Sequence, residues 1–376
     1  VMAAATAALS AQAAGHDRDG SFPWDGIAAV HAAGLLGATI GREHGGPGCG
    51  LADGVRILRA LGQGDPSVAL ITAMTLITHA AQAREASWPA QAYKGIVEES
   101  AHRPVLLNAL RVEPDLGTPA RGGLPAATAA QVPGGWSLSG RKIYSTGAEG
   151  LSWMAVWART DESPPRVGSF LVPAGSAGVT VERTWDHLGL RASRSDDVVF
   201  DAVDVPAEAA VALATPDAQP PPDPVLMAWN ALGLSAIYLG VAAAARDWLI
   251  GFLAERTPTA LGRPLATLPR FTAAVGEISA VLIAAEDLVD ALAIRVDAGE
   301  AAAAGHAAVA KLTATRAAIG AVEQAVALVG NNALTRRNPL ERHYRDVLCA
   351  RVHTPQDDSV LAGLGSAAFA GLVKGE

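Results

Sequence analysis

A proline-rich segment, TPDAQPPPDP at residues 215–224, is the feature that most limits how this 376-residue chain can fold. Proline lacks a backbone N–H and fixes its own φ, so neither a helix nor a sheet continues through such a segment. Beyond it, apolar residues recur at helical spacing in four long stretches, at residues 225–256, 268–298, 301–329 and 339–352. Helices joined by short links pack as neighbours. We therefore predict that residues 225–376 form a four-helix bundle and that residues 215–224 are a linker.

The chain before the linker changes character near residue 104. Residues 1–103 show helical spacing, whereas residues 104–214 alternate short β-type runs with turns. The insert at residues 117–133 is rich in Gly, Pro and Ala and is expected to be a loop. The β-type runs lie at residues 105–111, 136–145, 154–159, 169–172, 179–185, 198–200 and 203–205. The prediction is an α+β multidomain protein with an N-terminal α-helical domain, a central β-barrel or sandwich, and a C-terminal four-helix bundle.

Charge and cysteine content exclude several classes of function. The chain has 29 Lys and Arg against 37 Asp and Glu, a net charge of −8, with no basic block. Nucleic-acid binding needs clustered cations, so we expect no such partner. Cys49 and Cys349 have no metal-ligand spacing and suggest no disulfide framework, so we expect no metal and a cytoplasmic location.

One stretch requires a check for membrane insertion, because residues 225–245 contain no charged side chain. Their Ala and Gly content makes them weakly hydrophobic, and Asn230 lies in the interior of the stretch. Only strongly apolar runs of about 20 residues insert well. We therefore expect a helix buried in the bundle and no membrane partner.

Residues 138–148, LSGRKIYSTGA, read as a strand that ends in a Thr-Gly turn. The run resembles the GxKxWxTNA strand of the acyl-CoA dehydrogenase superfamily, which lies against the flavin ring. The resemblance implies that Tyr144 covers the ring, that Thr146 meets its N5 edge, and that Ser145 between them belongs to the same contact. A flat ring packs well on an aromatic side chain, and a reducible N5 needs a nearby hydrogen-bond donor.

A second stretch, WDHLGLRASRS at residues 185–195 followed by Phe200 and a Val-Pro pair, resembles the family pattern GxRxSxxxxxxFxxVxVP. In the family this stretch completes the β-domain beside the cofactor. The resemblance implies polar cofactor contacts from Arg191 and Ser193. The residues alone fit equally well a structural role in which each side chain pins a loop.

Two further stretches resemble segments that contact FAD from a neighbouring subunit. ERTPTALGRPL at residues 255–265 resembles ERxxFGxP without its Phe, and implies that Arg256 binds the pyrophosphate through its planar guanidinium. ALVGNN at residues 327–332 resembles QxxGGxG with its Gln and one Gly changed, and implies a close approach of Gly330 and Asn331 to the ADP moiety. Taken alone, this stretch is typical of a helix C-terminus.

The segment PLERHYRDVLCARVHTPQDD, residues 339–358, concentrates charge near the end of a mostly apolar chain. It resembles the closing part of the same family, and Gln356 and Asp358 match positions that touch the flavin. The charged residues 341–346 are expected to form ion pairs between subunits.

The position of the family's catalytic base can be counted along the chain. Acyl-CoA dehydrogenation needs a carboxylate to remove the α-proton. The common position lies nine residues after Arg345 and is Thr354 here, and a less common one lies 26 residues before Arg256 and is Asn230. Neither position supplies a carboxylate.

The residue before Thr354 is His353, in the sequence VHTP. This resembles the monooxygenase branch of the superfamily, where a histidine in this region works with reduced flavin and O2. Histidine titrates near neutral pH and can move a proton to or from a substrate heteroatom. Read without the family, His353 is a residue that caps a helix end before Pro355.

The resemblance implies a flavin-dependent oxidoreductase with FAD as cofactor, or FMN if it is a monooxygenase. The first functional hypothesis is α,β-oxidation of an acyl-CoA or related thioester, with an electron-transfer flavoprotein as partner. The alternatives are a monooxygenase that receives reduced flavin from a flavin reductase and acts on a small molecule, and a catalytically silent flavin- or acyl-binding homologue. The family also implies a homodimer or homotetramer.

Overall fold

The computed structural model describes residues 1–116 and 123–370 and follows the predicted order of helices, sheet and helices. The first region contains α1 (Met2–Asp19), α2 (Trp24–Ala32), α3 (Leu51–Gly64), α4 (Pro66–Arg84) and α5 (Ala90–Ser100). Asp65 sets the start of α4, because its carboxylate accepts hydrogen bonds from the N–H groups of Ser67 and Val68. Pro66 occupies the first position of the helix, where a missing N–H costs nothing.

The central region is one mixed sheet. Its strands are β1 (Leu106–Leu110), β2 (Thr128–Val132), β3 (Gly135–Lys142), β4 (Leu151–Thr160), β5 (Val167–Pro173), β6 (Val179–Glu182), β7 (Asp197–Pro206) and β8 (Ala210–Ala214). The order across the sheet is β6-β7-β3-β2-β4-β5-β8, with β1 paired in parallel to β4. The central β-domain is thus confirmed as a sheet, and its site-bearing loops leave from the ends of β3 and β6.

The sequence prediction missed β8, which no predicted run covers, and differs from the sheet in two further places. Strand β2 lies inside the predicted loop at residues 117–133, of which residues 117–122 are outside the described part of the chain. The two predicted runs at residues 198–200 and 203–205 are one strand, β7, in which Ala202 takes a positive φ of 50°. The pairing of β3 with β7 changes register beside this point, so the strand continues across the irregularity.

The last region contains α6 (Pro224–Glu255), α7 (Pro269–Asp297), α8 (Ala301–Val329), α9 (Asn331–Leu334), α10 (Leu340–Leu348) and α11 (Asp357–Phe369). Residues 371–376 of the predicted bundle lie outside the described residues. By length and composition α6 and α8 could each cross a membrane, but 78% of the most apolar window of α6 is buried inside the protein. This burial is what a core helix shows, and α6 packs against α3, α4, α7, α8 and α10.

Two glycines allow α3 and α6 to cross closely and so join the first and last regions. A Cβ added at Gly62 of α3 would lie 2.4 Å from the carbonyl oxygen of Ile237, and one added at Gly240 of α6 would lie 2.3 Å from that of Arg59. Both distances are far inside van der Waals contact, so only glycine fits at either position. The crossing fixes α6, and therefore Asn230, against the N-terminal helices.

The charged residues of α10 join three regions within one chain. The Arg345 guanidinium donates to both carboxylate oxygens of Asp17 on α1, at 2.9 and 2.7 Å, and to Glu341 one helical turn earlier. Asp346 is buried and accepts the N–H of Leu190, at 2.8 Å, from the loop after β6. The expectation of ion pairs between subunits is therefore wrong for Arg345, whose carboxylate partners are intramolecular.

Candidate active site

The two candidate base positions meet in space. Asn230, on α6, donates from Nδ2 to the backbone oxygen of Thr354 at 2.7 Å, although 124 residues separate them. Thr354 lies between the 3-10 turn Cys349–Arg351 and the start of α11. Thr354, the position that the resemblance assigns to a base, thus carries a hydroxyl. Asn230, the alternative position, carries an amide that already donates to the backbone of Thr354. Neither group removes an α-proton from a thioester.

His353 sits beside this contact and is half-buried, with its Nε2 closed to solvent. Its ring lies 5.8 Å, centroid to centroid, from the ring of Tyr238, which is fully buried on α6. The His353 Nε2 and the Tyr238 hydroxyl are both closed to solvent and have no hydrogen-bond partner among the described residues. Burial, together with the positive charge of Lys311, lowers the pKa of His353 to about 4. The imidazole is therefore neutral at pH 7 and can accept a proton.

Tyr144 follows β3 with a positive φ of 55°, and its side chain is 55% exposed. The rings of Trp185 and His187 stack on each other at 3.7 Å, and both meet the Tyr144 ring edge to face. A large aromatic side chain held in this strained backbone conformation, and supported from behind by two other rings, is a surface on which a flat ligand can pack.

Thr146 and Ser145 complete the segment after β3. The Thr146 hydroxyl accepts a hydrogen bond from Ser195 at 3.1 Å, which leaves its own proton for a further acceptor. The Ser145 hydroxyl is buried and has no hydrogen-bond partner in residues 1–116 and 123–370. An exposed aromatic wall, a hydroxyl with a free proton and an unpaired buried hydroxyl fit the flavin ring that the sequence predicts, so Tyr144, Ser145 and Thr146 would hold it.

Ser193 and Arg191 support the segment from behind. Ser193 is fully buried and its hydroxyl is 2.9 Å from that of Ser195, so it reaches Thr146 through a chain of hydroxyl groups. Arg191 donates from Nε to the Asp17 carbonyl at 2.7 Å and from Nη1 to the His187 carbonyl at 3.3 Å. Both sets of contacts are those of the structural alternative, in which the side chain pins a loop.

The remaining predicted cofactor residues lie at the ends of bundle helices. Arg256 follows α6, Gly330 separates α8 from α9 with φ 56°, and Asn331 begins α9; all three are exposed. Gln356 precedes α11 and Asp358 lies in its first turn. The predicted contact of Arg256, Gly330 and Asn331 with FAD from a neighbouring subunit stays a prediction, and their exposure leaves them accessible for it.

Sequence reasoning missed the side chains that surround His353 and support Thr146. Tyr238 and Lys311 lie 115 and 42 residues from His353, in helices read only for their apolar spacing. A lysine within the Ala-rich run of α8 was a usable signal, since lysine is almost never fully buried without a partner. Asn108 on β1 was also missed; its Nδ2 donates to the Thr146 carbonyl at 3.0 Å.

Comparison with known proteins identifies the family and agrees with the fold. Family models match residues 1–88 (acyl-CoA dehydrogenase, N-terminal domain), residues 111–203 (middle domain) and residues 232–357 (C-terminal domain). The putative acyl-CoA dehydrogenase YdbM of Bacillus subtilis is 31% identical over 95% of this chain and 92% of its own length. L-evernosamine nitrososynthase of Micromonospora sp. is 31% identical over 90% of this chain and 82% of its own.

Solved structures give the same result. KijD3 in complex with FMN and dTDP-3-amino-2,3,6-trideoxy-4-keto-3-methyl-D-glucose superimposes with a TM-score of 0.83 at 29% identity, and covers 98% of this chain and 92% of its own. Butyryl-CoA dehydrogenase from Megasphaera elsdenii, at 22% identity, superimposes with a TM-score of 0.85 over 98% of this chain and 97% of its own, which shows the shared fold.

Proposed function

We propose, from the premise that this chain belongs to the acyl-CoA dehydrogenase family and is a flavin-dependent oxidoreductase, that it is a monooxygenase acting on a small molecule with reduced flavin and O2. One oxygen atom enters the substrate and the other leaves as water, so two electrons and two protons are required. A flavin reductase supplies the electrons in this proposal. FAD and FMN are both cofactors of this family's fold, and FMN suits a flavin that arrives already reduced.

The observation that carries the proposal is the contact of Asn230 with Thr354. A dehydrogenase needs a carboxylate over the thioester, but both candidate positions are neutral and are bonded to each other at 2.7 Å. The acids next along the chain begin α11, and the carboxylate of Asp357 is paired with Arg316 at 3.0 Å. What stands at the site instead is a neutral histidine.

His353 supplies the proton transfer in this mechanism. With a pKa lowered to about 4, it is unprotonated at pH 7 and accepts a proton at the enclosed Nε2. Reduced flavin, when bound, supplies the two electrons for the reaction of O2. Tyr144 orients the flat ring, and Thr146 donates at its edge. The buried Tyr238 and the enclosed Nε2 of His353 would keep water from this part of the site and so limit loss of the oxidant as peroxide.

The substrate class in this proposal is an amine. It is supported by the 31% identity to L-evernosamine nitrososynthase and the 27% identity to amino sugar nitrososynthase DnmZ of Streptomyces peucetius, each over 90% of this chain. A neutral histidine suits an amine, because nitrogen must lose a proton before or during its oxygenation.

The test combines an anaerobic absorption spectrum of the flavin-loaded protein with an aerobic assay for oxygenated product. Under anaerobic conditions a panel of acyl-CoA thioesters should leave the oxidised flavin band unchanged, whereas a flavin reductase with O2 and an amino-sugar panel should give oxygenated product. His353→Ala should lower product per reduced flavin consumed and raise peroxide. The matched control is His306→Ala, at an exposed histidine of α8. Bleaching by a thioester, or coupling unchanged in His353→Ala, would contradict the proposal.

A second candidate, the acyl-CoA dehydrogenase, is favoured by the match of YdbM across 95% of this chain. In that case the base is an acid outside the two counted positions, and an electron-transfer flavoprotein takes the electrons. Bleaching of the flavin by one thioester in the same anaerobic experiment selects this candidate. A protein that neither bleaches nor oxygenates is the silent homologue. In each case we propose a homodimer or homotetramer, which sedimentation of the flavin-loaded protein measures.

A further inference from the structure

Lys311 is fully buried in the middle of α8 and reaches the segment that carries His353. Its Nζ donates to three backbone carbonyl oxygens: Ala350 at 3.3 Å, His353 at 2.8 Å and Pro355 at 2.9 Å. The three acceptors surround Thr354, which Asn230 holds from the other side. The segment between α10 and α11 is thus tied to two bundle helices by two side chains.

The chemistry of this contact requires the charged lysine. An ammonium group has three N–H donors, and three carbonyls are present, so each donor has an acceptor. Ala350 lies within the 3-10 turn Cys349–Arg351, where end carbonyls without a backbone partner favour a cation. Burial lowers the pKa of Lys311, and the only opposing effect comes from Asp357. Among the described residues no carboxylate forms an ion pair with Nζ, so its direct partners are the three carbonyl dipoles, and Asp357 acts only from a distance while paired with Arg316.

The same charge acts on the His353 ring. The groups that face this ring are the neutral phenol of Tyr238 from α6 and the ammonium of Lys311 from α8. A cation held near an imidazole disfavours its protonation. Lys311 therefore does two things at one place: it orders the backbone on both sides of Thr354, and it adds to the effect of burial, the larger cause, in lowering the pKa of the neighbouring histidine.

We propose that Lys311 is a positioning residue of the active site, which acts through His353 by fixing the backbone of residues 350–355. The inference rests on the proposed monooxygenase function for its effect on turnover, but its structural effect is measurable without any reaction. Lys311 does not touch substrate or flavin in this proposal. The histidine is placed by a residue of another helix, 42 positions earlier in the chain.

The first test is a titration of histidine-labelled protein followed by NMR. In Lys311→Met, which keeps the length of the side chain but removes charge and donors, the midpoint of His353 should move upward from about 4 toward the ordinary 6.5. The control is Thr315→Val, since Thr315 is equally buried one turn along α8 and its hydroxyl bonds only within its own helix. An unchanged His353 midpoint in folded Lys311→Met would overturn the proposal. If the Met variant does not fold, Lys311→Gln, which keeps two donors without the charge, gives the same comparison.

The second test separates positioning from general stability. Lys311→Met should lower product per reduced flavin by roughly tenfold, and the same substitution should cost nothing further in a His353→Ala background. Independent losses in the double variant would show that Lys311 does not act through His353. If the wild-type protein oxygenates nothing, the proposed function fails, while the titration still decides whether Lys311 places the histidine.

Discussion

The part of the chain that the structure describes contains two fully buried lysines, one on each side of the candidate active site, and their charges are satisfied in different ways. Lys142, at the end of β3 just before Tyr144, donates to the carboxylate of Glu113 at 2.6 Å and to the carbonyl of Trp157. Lys311, behind His353, donates to three carbonyls and has no carboxylate within bonding distance. The first is half of a buried ion pair, whereas the second is a buried cation surrounded by dipoles.

The difference in partners predicts a different role for each lysine. In an ion pair the two charges cancel at a distance, so Lys142 stabilises the strand end without changing the electrostatics of the flavin side. A cation held by carbonyls keeps its field, and that field reaches His353. Loss of Lys142 should therefore appear as lost stability, and loss of Lys311 mainly as altered histidine chemistry.

The largest expected effect is that of Lys142→Met on stability. The substitution leaves Glu113 buried and charged, although two backbone N–H groups, from Ala126 and Ala127, still bond it. Breaking a buried pair in this way costs about 3 to 5 kcal/mol. Urea unfolding of the wild type and the variant at pH 7 measures the difference.

The matched control for this prediction is the double variant Lys142→Met with Glu113→Leu. Removing both charges should recover much of the stability, because the isolated carboxylate, more than the missing attraction, is the source of the loss. A double variant as unstable as the single one would show that Lys142 acts mainly through the Trp157 carbonyl, and its contrast with Lys311, which binds only carbonyls, would disappear.

The next effect is the dependence of stability on pH through His353. Its pKa is lowered to about 4 in the folded protein against about 6.5 in the unfolded chain, so between these values the unfolded state binds the extra proton. This contribution is complete above pH 6.5 and is lost as the pH falls toward 4. By pH 5 the stability lost in this way amounts to about 2 kcal/mol.

Urea unfolding at pH 7 and pH 5 checks this value. His353→Gln should lose less stability on acidification than the wild type, by about that amount, while the buried His79 and His343 keep their own contributions in both proteins. Equal losses would mean that His353 is solvated, and that the field of Lys311 has no influence there.

The sequence could predict a site residue where that residue and its partners lie close together along the chain. The segment Tyr144–Thr146 follows a strand in a recognisable motif, so its place was predicted. Strand β2, with the sequence TAAQV, was missed because Ala and Gln give little β signal beside a Gly- and Pro-rich insert. His353 was proposed as a site residue because it precedes Thr354, which lies nine residues after Arg345.

The partners of His353 could not be predicted in the same way. Tyr238 and Lys311 share its environment because α6 and α8 present particular faces, and a helix that is apolar on most sides gives no sequence signal for which face that is. Their identity as site residues comes from packing alone.

A smaller effect on stability is expected at Asn230, which holds the segment of residues 350–355 from the α6 side. Asn230→Ala removes the bond to the Thr354 carbonyl, which is partly open to water, and should cost about 1 kcal/mol. Asn230→Asp keeps the size but places a carboxylate against a carbonyl oxygen, so it should cost at least as much. Hydrogen exchange of residues 350–356 measures the loosening; exchange unchanged in both variants would show that Lys311 alone holds the segment.

The smallest effect is expected on the flavin side, at Ser195. Its hydroxyl donates to Thr146 at 3.1 Å, but Thr146 is also anchored by Asn108, so Ser195→Ala removes one of several supports. The Kd for flavin, measured by fluorescence titration, should rise less than about fivefold, which corresponds to about 1 kcal/mol. Thr146→Val, which removes the hydroxyl that meets the ring in our proposal, should raise it more. If Ser195→Ala weakened binding as much as Thr146→Val, the flavin side would depend on its one chain of hydroxyl contacts, and its support would be no more redundant than that of the His353 segment, which Lys311 and Asn230 hold.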